Sequence, residues 1–127
     1  MMTDTVADMI CRIKNAVLAG HEKLDIPGSK MKASICKVLK EEGFIRSFKL
    51  KVDENSRIQM RIYLKEGAIS DIVRESTPGL RVYKRYTELP RIRSGLGLSI
   101  ISTSKGLLSS RKAKAMKLGG ELVCSVW

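Results

Sequence analysis

The sequence predicts an α+β protein of two small packed domains: an N-terminal α-β-α-β-β domain and a C-terminal domain of mostly strands with one short helix. Two N-terminal segments carry apolar residues at helical spacing, and most of the remaining chain alternates apolar with polar residues. Both periodicities stop at 65–68, which predicts a linker between domains 1–64 and 69–127. With 127 residues, 43% of them apolar, the chain can bury a core of this kind.

Two helices are predicted in the N-terminal half, each with a cap and a stop. The first begins at Asp4 or Thr5 and is ended by Gly20. The second follows a cap at Ser29 and ends before Gly43. Their expected apolar stripes are Val6, Met9, Ile10, Ile13 and Val17, and Met31, Ile35, Val38 and Leu39.

Three N-terminal strands are predicted around these helices. A short strand at 23–26 stops at Pro27-Gly28, which separates it from the second helix. Alternation over 47–52 and again over 58–64 predicts a hairpin, with 53–56 as its turn. The apolar face of its first strand would consist of Phe48, Leu50 and Val52.

The C-terminal half predicts short strands and one basic helix. Ser109 or Ser110 would cap this helix, which reaches about Leu118 and is broken by Gly119-Gly120. The segment 89–97 is expected to be irregular. The predicted strands are 69–75, 80–85, 98–103 and 121–127.

Positive charge is concentrated in the C-terminal half. The chain carries 24 basic and 13 acidic residues, a net charge of +11. Ten basic residues and a single acidic one, Glu88, lie between Arg81 and Lys117. Like charges this dense favour a polyanion partner, although a soluble basic protein without one is the simpler alternative. A membrane is not expected, because no apolar stretch has spanning length and no apolar N-terminal signal is present.

The sequence lacks catalytic and metal-binding patterns. Cys11, Cys36 and Cys124 form no CxxC pair, so neither a disulfide framework nor a zinc site is predicted, and each is expected to act as a small apolar residue. Nucleophilic catalysis usually needs a base, and the only histidine, His21, falls in a predicted turn after Gly20, where it is interpreted as an exposed turn residue rather than as that base. We therefore expect no enzymatic activity, no cofactor and no metal.

The segment Ser102-Thr103-Ser104-Lys105-Gly106 has the composition of a binding loop, placed where a predicted strand leads into the basic helix. Its hydroxyls can donate and accept hydrogen bonds, Lys105 supplies charge, and Gly106 allows the backbone to approach a ligand. Helix capping would explain one nearby hydroxyl, that of Ser109 or Ser110. The remaining hydroxyls favour a contact with phosphates and sugars.

A second candidate contact is Tyr83, which lies among the basic residues Arg81, Lys84 and Arg85. Strand alternation puts Arg81, Tyr83 and Arg85 on one face. Tyr83 can then stack on a base while the arginines hold phosphates, or it can pack at the edge of the core. Glu121 either accepts a hydrogen bond from a base amino group or a 2′-hydroxyl as an orienting contact, or pairs with Lys105, and the ion pair needs less explanation.

The sequence contains several motifs that resemble, in identity and in order along the chain, those of the family of the eighth protein of the bacterial small ribosomal subunit. The resemblance covers essentially the whole chain. The motifs are Ala7–Asn15, Leu39–Ile45, Arg81–Arg85, Glu88-Leu89-Pro90, Gly95-Leu96-Gly97, Ser102–Gly106 and Leu118–Glu121.

The resemblance implies two packed α/β domains and binding to the central domain of small-subunit ribosomal RNA, with a role early in subunit assembly. It also implies neighbouring ribosomal proteins, the fifth among them, and repression of the family's own operon by binding its messenger RNA. We expect a monomer outside the ribosome, located in the cytoplasm rather than in an organelle.

The same resemblance implies RNA contacts in two sets of residues. Cys11 stands where the family more often has a threonine, so no hydroxyl contact is expected there. The first set contains Ser102, Thr103, Ser104, Lys105, Gly106, Tyr83 and Glu121, and the second contains Asp4, Arg12, Asn15, Ser29 and Lys30. The positive charge of Arg81, Lys84, Arg85 and Lys112 adds these four residues to the first set.

Two alternative functions stay open from the residues alone. A DNA-binding module would use the same basic face, although the sequence has no helix-turn-helix or zinc spacing. A protein-interaction adaptor would use that face to meet an acidic partner.

Overall fold

A computed structural model describes residues 4–127, apart from the side chain of Ser94. It confirms the α+β prediction, with a mostly-strand C-terminal region that contains one short helix. Contacts divide the described residues into one compact unit of 8–69 and another of 4–7 with 70–127. The elements in order are α1 (Thr5–Leu18), β1 (Lys23–Pro27), α2 (Lys30–Glu41), β2 (Ile45–Val52), β3 (Ile58–Leu64), β4 (Ile72–Arg74), β5 (Tyr83–Lys84), two 3-10 turns (Tyr86–Glu88 and Ile92–Gly95), β6 (Leu98–Thr103), β7 (Gly106–Ser109), α3 (Ser110–Ala115) and β8 (Gly120–Val126).

The unit of 8–69 contains an antiparallel three-stranded sheet in the order β1-β3-β2. Alternate residues of these strands, including Ile26, Met60 and Ile62, are fully buried together with Ile35 and Leu39 of α2. Each buried side chain of this size contributes about 1.5–3 kcal/mol through removal of apolar surface from water. The alternation that predicted the strands therefore also separates a core face from a solvent face.

The second helix begins and ends as predicted. The Ser29 hydroxyl accepts a hydrogen bond from the Lys32 amide at 3.2 Å, and Gly43 follows the helix with a φ of +81°. The predicted apolar stripe is wrong at one position, because Met31 is exposed whereas Lys32 is buried. The Lys32 ammonium is satisfied because it donates to the Pro27 carbonyl at 2.9 Å.

Burial along β2 differs from the prediction. Leu50 and Val52, expected on a core face, are 51% and 70% exposed. They pair across the hairpin with Met60 and Ile58, and of these two only Met60 is buried. Alternation therefore identified the strand correctly, but it could not show that the core ends before the tip of the hairpin.

The unit containing 70–127 has β8 at its centre, in a sheet of order β4-β8-β6-β7 in which β5 also pairs with β8. The predicted strands 69–75 and 80–85 are wrong in extent, because only β4 and β5 form. Thr77 and Leu80 close a turn between the two strands, because their amides and carbonyls bond to each other at 3.0 and 3.1 Å. Ser76 supports this turn: it is buried, and its hydroxyl accepts a hydrogen bond from the Val82 amide at 3.1 Å. Between β4 and β5, the turn carries the chain away from β8, with which both short strands pair.

The basic helix is shorter than predicted, and a strand precedes it. Residues 106–109 form β7 antiparallel to β6, and α3 then ends at Ala115 rather than near Leu118. Its cap is Ser109, whose hydroxyl accepts from the Lys112 amide at 3.3 Å. Lys117, with a φ of +56°, turns the chain out of the helix before the glycine pair is reached.

None of the three cysteines forms a disulfide, and they do not share one environment. Cys36 and Cys124 are buried and pack as small apolar residues, and burial raises the pKa of Cys36 to about 12. Cys11 is exposed on α1, so the expectation that it packs as an apolar residue is wrong.

Within the described residues, no helix is long and apolar enough to cross a membrane.

Candidate nucleic-acid interface

The hydroxyl-rich segment is the tip of the β6–β7 hairpin. Thr103 pairs with Gly106 across the hairpin, with Ser104 and Lys105 between them. Gly106 adopts a φ of +95°, in the left-handed region that favours glycine. The predicted corner between a strand and a helix is therefore wrong. Leu107 and Leu108 continue into a strand because they pair with Ser102 and Ile101 of β6.

The Thr103 hydroxyl shapes this turn from within. It accepts a hydrogen bond from the Lys105 amide at 3.1 Å and donates to the Gly106 carbonyl at 2.8 Å. Ser104, Lys105 and Gly106 are exposed, and Ser102 is partly exposed. The turn thus presents the Ser104 hydroxyl and the Lys105 ammonium to solvent.

Beside the hairpin tip, three strands align three of the predicted residues. Glu121 of β8 lies directly opposite Tyr83 of β5 on one side and opposite Ser102 of β6 on the other. Residues directly opposite one another point to the same face of a sheet, and neighbouring strands lie about 4.8 Å apart. Tyr83, Glu121 and Ser102 therefore form a row about 10 Å long on one face, which we call the polar row.

The polar row ends in an exposed aromatic ring. Tyr83 is 69% exposed, which does not fit the alternative of a tyrosine packed at the core edge. Exposure alternates through this segment, with Arg81, Tyr83 and Arg85 exposed and Val82 and Lys84 partly buried. The ring is therefore available for stacking beside two guanidinium groups.

Glu121 pairs with a different cation from the one expected. Arg81 Nη1 lies 3.1 Å and 3.3 Å from the two carboxylate oxygens, so the predicted partner Lys105 is wrong. The Glu121 side chain is only 13% exposed, and the pair holds the Arg81 guanidinium against the polar row. The negative charge at the centre of the polar row is thereby neutralised.

Two glycines that sequence reasoning assigned to ending a helix allow the strands to approach each other. A Cβ on Gly119 would lie 2.6 Å from the Lys84 carbonyl oxygen and 2.9 Å from the Arg85 Cα. A Cβ on Gly120 would overlap the Ser102 carbonyl. Side-chain-free residues are therefore required where β8 passes between β5 and β6, and a Gly-Gly pair directly before a strand was the available signal.

Helix α3 adds exposed cations near the same sheet. Ala113 is fully buried, whereas Lys112 and Lys114 are exposed on the outer side. Arg111 instead holds the preceding loop, because its guanidinium donates to the carbonyls of Gly95 and Gly97. Lys112 and Lys114 are thus the cations of this helix that point away from the protein.

Asp4, from the second predicted set, is engaged in internal contacts. Its carboxylate accepts from the Ala7 amide at 3.1 Å, which makes it the cap of α1, and from Arg74 Nε at 3.1 Å. Desolvation raises the pKa of Asp4, but these hydrogen bonds outweigh it and the pKa lies below its ordinary value. Asp4 belongs to the unit of 4–7 and 70–127, unlike the other four residues of its set.

Those four residues lie at two helices of the unit of 8–69. Arg12 pairs with Asp8 at 3.1 Å on the exposed side of α1, and the Asn15 amide donates to the Cys11 sulfur at 3.7 Å. The Ser29 hydroxyl is occupied by its cap, while Lys30 is exposed.

Hydroxyls, an exposed aromatic ring and a surrounding surplus of cations are typical of an RNA-binding protein rather than of an enzyme. Across the described part of the chain, no three histidine, cysteine or acidic residues are grouped as a metal site would require. The sequence model described as Ribosomal protein S8 matches residues 4–127, and the chain belongs to this family. The family is structural, which confirms the prediction that the chain is not an enzyme.

Curated relatives agree with this assignment over their whole length. The chain is 48% identical to the small ribosomal subunit protein uS8 of Sorangium cellulosum, with all of both chains covered. It is 47% identical to uS8 of Syntrophobacter fumaroxidans, covering 99% of this chain and 98% of the relative, and 46% identical to uS8 of Shouchella clausii, covering 100% and 99%. The resemblance stated from the motifs is thereby confirmed.

Proposed function

We propose that this chain is a structural constituent of the small ribosomal subunit and binds the central domain of its ribosomal RNA through the polar row and the hairpin tip. The observation that carries the proposal is the alignment of Tyr83, Glu121 and Ser102 beside the exposed Ser104 and Lys105. Family membership supports RNA, rather than DNA or an acidic protein, as the polyanion.

The chemistry of this surface suits an irregular RNA helix. Side chains cannot read the narrow major groove of A-form RNA, so recognition uses minor-groove shape, 2′-hydroxyls and unstacked bases. The Ser102 and Ser104 hydroxyls can exchange hydrogen bonds with ribose hydroxyls, and Tyr83 offers a face for an unstacked base. The Glu121 carboxylate accepts a base amino group or a 2′-hydroxyl, and Arg81 removes the repulsion that phosphates would otherwise meet.

Affinity and sequence discrimination are assigned to different residues, because the exposed charges and the hydroxyls lie at different positions. Lys105, Lys112 and Lys114 are exposed point charges, and they supply affinity that depends on salt and little on RNA sequence. The hydroxyls and the aromatic ring of the polar row require a matching RNA contour. Discrimination between cognate and random RNA therefore resides in the polar row and the hairpin tip.

The proposal extends to the biology that accompanies such a site. The chain would act early in subunit assembly in the cytoplasm, next to other small-subunit proteins, the fifth among them. It would also repress its own operon where the messenger RNA reproduces the ribosomal RNA fold. The exposed Arg12 and Lys30 of the other unit would contact a second RNA segment.

The test compares Ser104→Ala with Ser70→Ala, a matched change at an exposed serine of the same unit. Loss of one hydrogen bond of about 1 kcal/mol should weaken binding to a central-domain RNA fragment roughly fivefold and leave random RNA unaffected. Lys112→Gln should weaken both RNAs equally and reduce the salt slope by roughly one unit. Equal affinities of Ser104→Ala and Ser70→Ala for the fragment would show that the hairpin tip does not select the RNA.

A further inference from the structure

The three-stranded sheet of the unit of 8–69 has a face that its own core does not use. The register places Arg61 of β3 between Asp25 of β1 and Lys49 of β2. Tyr63 lies one step along β3 in the same alternation, and Lys23 and Lys51 flank the row on the outer strands. We call these six residues the open sheet face, since they point opposite to the buried Ile26, Met60 and Ile62.

The charge of the open sheet face is arranged so that its only acidic group is neutralised. Arg61 holds Asp25 through two hydrogen bonds, Nε to Oδ1 at 2.7 Å and Nη2 to Oδ2 at 3.1 Å. The hydrogen bond from Arg61 keeps the pKa of Asp25 below its ordinary value. The exposed ammonium groups of Lys23, Lys49 and Lys51 remain as a positive surplus around this pair.

An aromatic ring and a shallow depression lie among these cations. The Lys49 ammonium is 5.7 Å from the centroid of the Tyr63 ring. A cavity of about 230 Å³ lies next to the ion pair, lined by Asp25, Lys51, Gln59, Met60 and Arg61. An RNA base can stack on the Tyr63 ring if it displaces the Lys49 ammonium. The displaced ammonium would then lie beside the phosphate of the same nucleotide.

We propose that the open sheet face is an RNA-binding surface distinct from the polar row and from the helix residues Arg12 and Lys30, and that it holds a single-stranded segment with a base on Tyr63 and its phosphates on Lys49 and Lys51. The two lysines are two residues apart on one strand, about 6.7 Å, which is comparable with the spacing of phosphates along an extended strand. An acidic peptide could pair with the two lysines, but its carboxylates would not stack on the Tyr63 ring. The inference rests on the proposed function for the nature of the ligand, but it uses a different surface in the other unit.

The test localises contact as well as affinity. The full chain is irradiated with a short single-stranded oligoribonucleotide that contains thiouridine, and crosslinks are assigned by peptide mass spectrometry. Lys49→Gln/Lys51→Gln is compared with Lys37→Gln/Lys40→Gln, which removes the same charge from exposed positions of α2. The salt dependence of binding is measured for both.

We expect wild-type crosslinks within 47–63, reduced at least fivefold in Lys49→Gln/Lys51→Gln and retained in the α2 variant. The slope of log affinity against log salt should fall by about 1.4, corresponding to two phosphates of a single strand. Equal reductions in both variants, or preferential capture of a polyglutamate competitor by the wild type, would overturn the proposal. The proposed function is tested separately by the affinity of Ser104→Ala for the central-domain RNA fragment, so the absence of crosslinks within 47–63 would count against the open sheet face and not against the proposed function.

Discussion

Substitution of Gly120 by alanine tests whether close strand packing builds the polar row. Gly120 opens β8 opposite Lys84 of β5, and its neighbour Glu121 lies opposite Ser102 of β6. The new Cβ would overlap the Ser102 carbonyl oxygen and lie 2.9 Å from the Ser102 carbonyl carbon and 3.3 Å from the Thr103 Cα. All three are backbone atoms, so no side chain can rotate aside to relieve the overlap.

The magnitude follows from that geometry. The strands must separate by about 1 Å, in an interior packed as densely as an organic crystal. Overpacking costs typically 1–3 kcal/mol, and the rigid backbone neighbours place Gly120→Ala towards the upper end. Urea denaturation followed by circular dichroism measures the change in the free energy of unfolding.

Gly79→Ala is the matched control in the same unit. A Cβ at Gly79 meets no atom within 4 Å, and its φ lies outside the left-handed region. The control should therefore be neutral or stabilising by up to about 1 kcal/mol. Separation of the strands should also weaken binding to the central-domain RNA fragment in Gly120→Ala only. If the two alanine variants unfold at the same urea concentration and bind RNA alike, the packing argument is wrong.

Three further predictions concern contacts that support the fold and the site. Asp4→Asn keeps the α1 cap but loses the pair with Arg74, so it should lower the free energy of unfolding by about 1 kcal/mol at pH 7. Because the pKa of folded Asp4 is lowered, this contribution is present above the unfolded value of about 3.9 and is lost as pH falls through the folded pKa. A difference from wild type in urea midpoint that stays constant from pH 7 down to pH 3 would contradict it. Thr103→Val should speed hydrogen exchange of the Lys105 amide whereas Thr103→Ser should not, and equal protection in both would rule out the turn role of this hydroxyl. Ser29→Ala should cost about 1 kcal/mol in urea unfolding while Ser29→Asp retains stability, and an unchanged alanine variant would refute the cap.

The features that sequence predicted best depend on neighbours in the chain. The Ser29 cap, the Gly43 stop and the strand at 98–103 agree with the structure, because capping and alternation are local properties. The surplus of charge between Arg81 and Lys117 needs no structure at all. The RNA contacts of the site residues stay predictions, which the comparison of Ser104→Ala with Ser70→Ala tests.

The predictions are wrong where the conformation of a segment depends on hydrogen bonds to residues that are distant in sequence. The residues of β7 were assigned to the approach to a helix, because a four-residue segment without alternation carries no signal of its own. Its conformation is decided by hydrogen bonds to β6. The strands expected at 69–75 and 80–85 are shorter because Thr77 and Leu80 close a turn between them. Glu121 met Arg81 rather than Lys105 because β5 pairs with β8.

Local periodicity by itself determined that this chain is an α+β protein, and local composition determined the basic C-terminal half, the hydroxyls at residues 102–104 and the lack of a catalytic pattern. Tertiary structure alone decided that Tyr83, Glu121 and Ser102 form one row. It also decided that the Thr103 hydroxyl bonds to the backbone of its own turn, and that a cationic face lies on the sheet of the other unit. The physical reason is that strand register is set by pairing between residues far apart in sequence, which no local periodicity records.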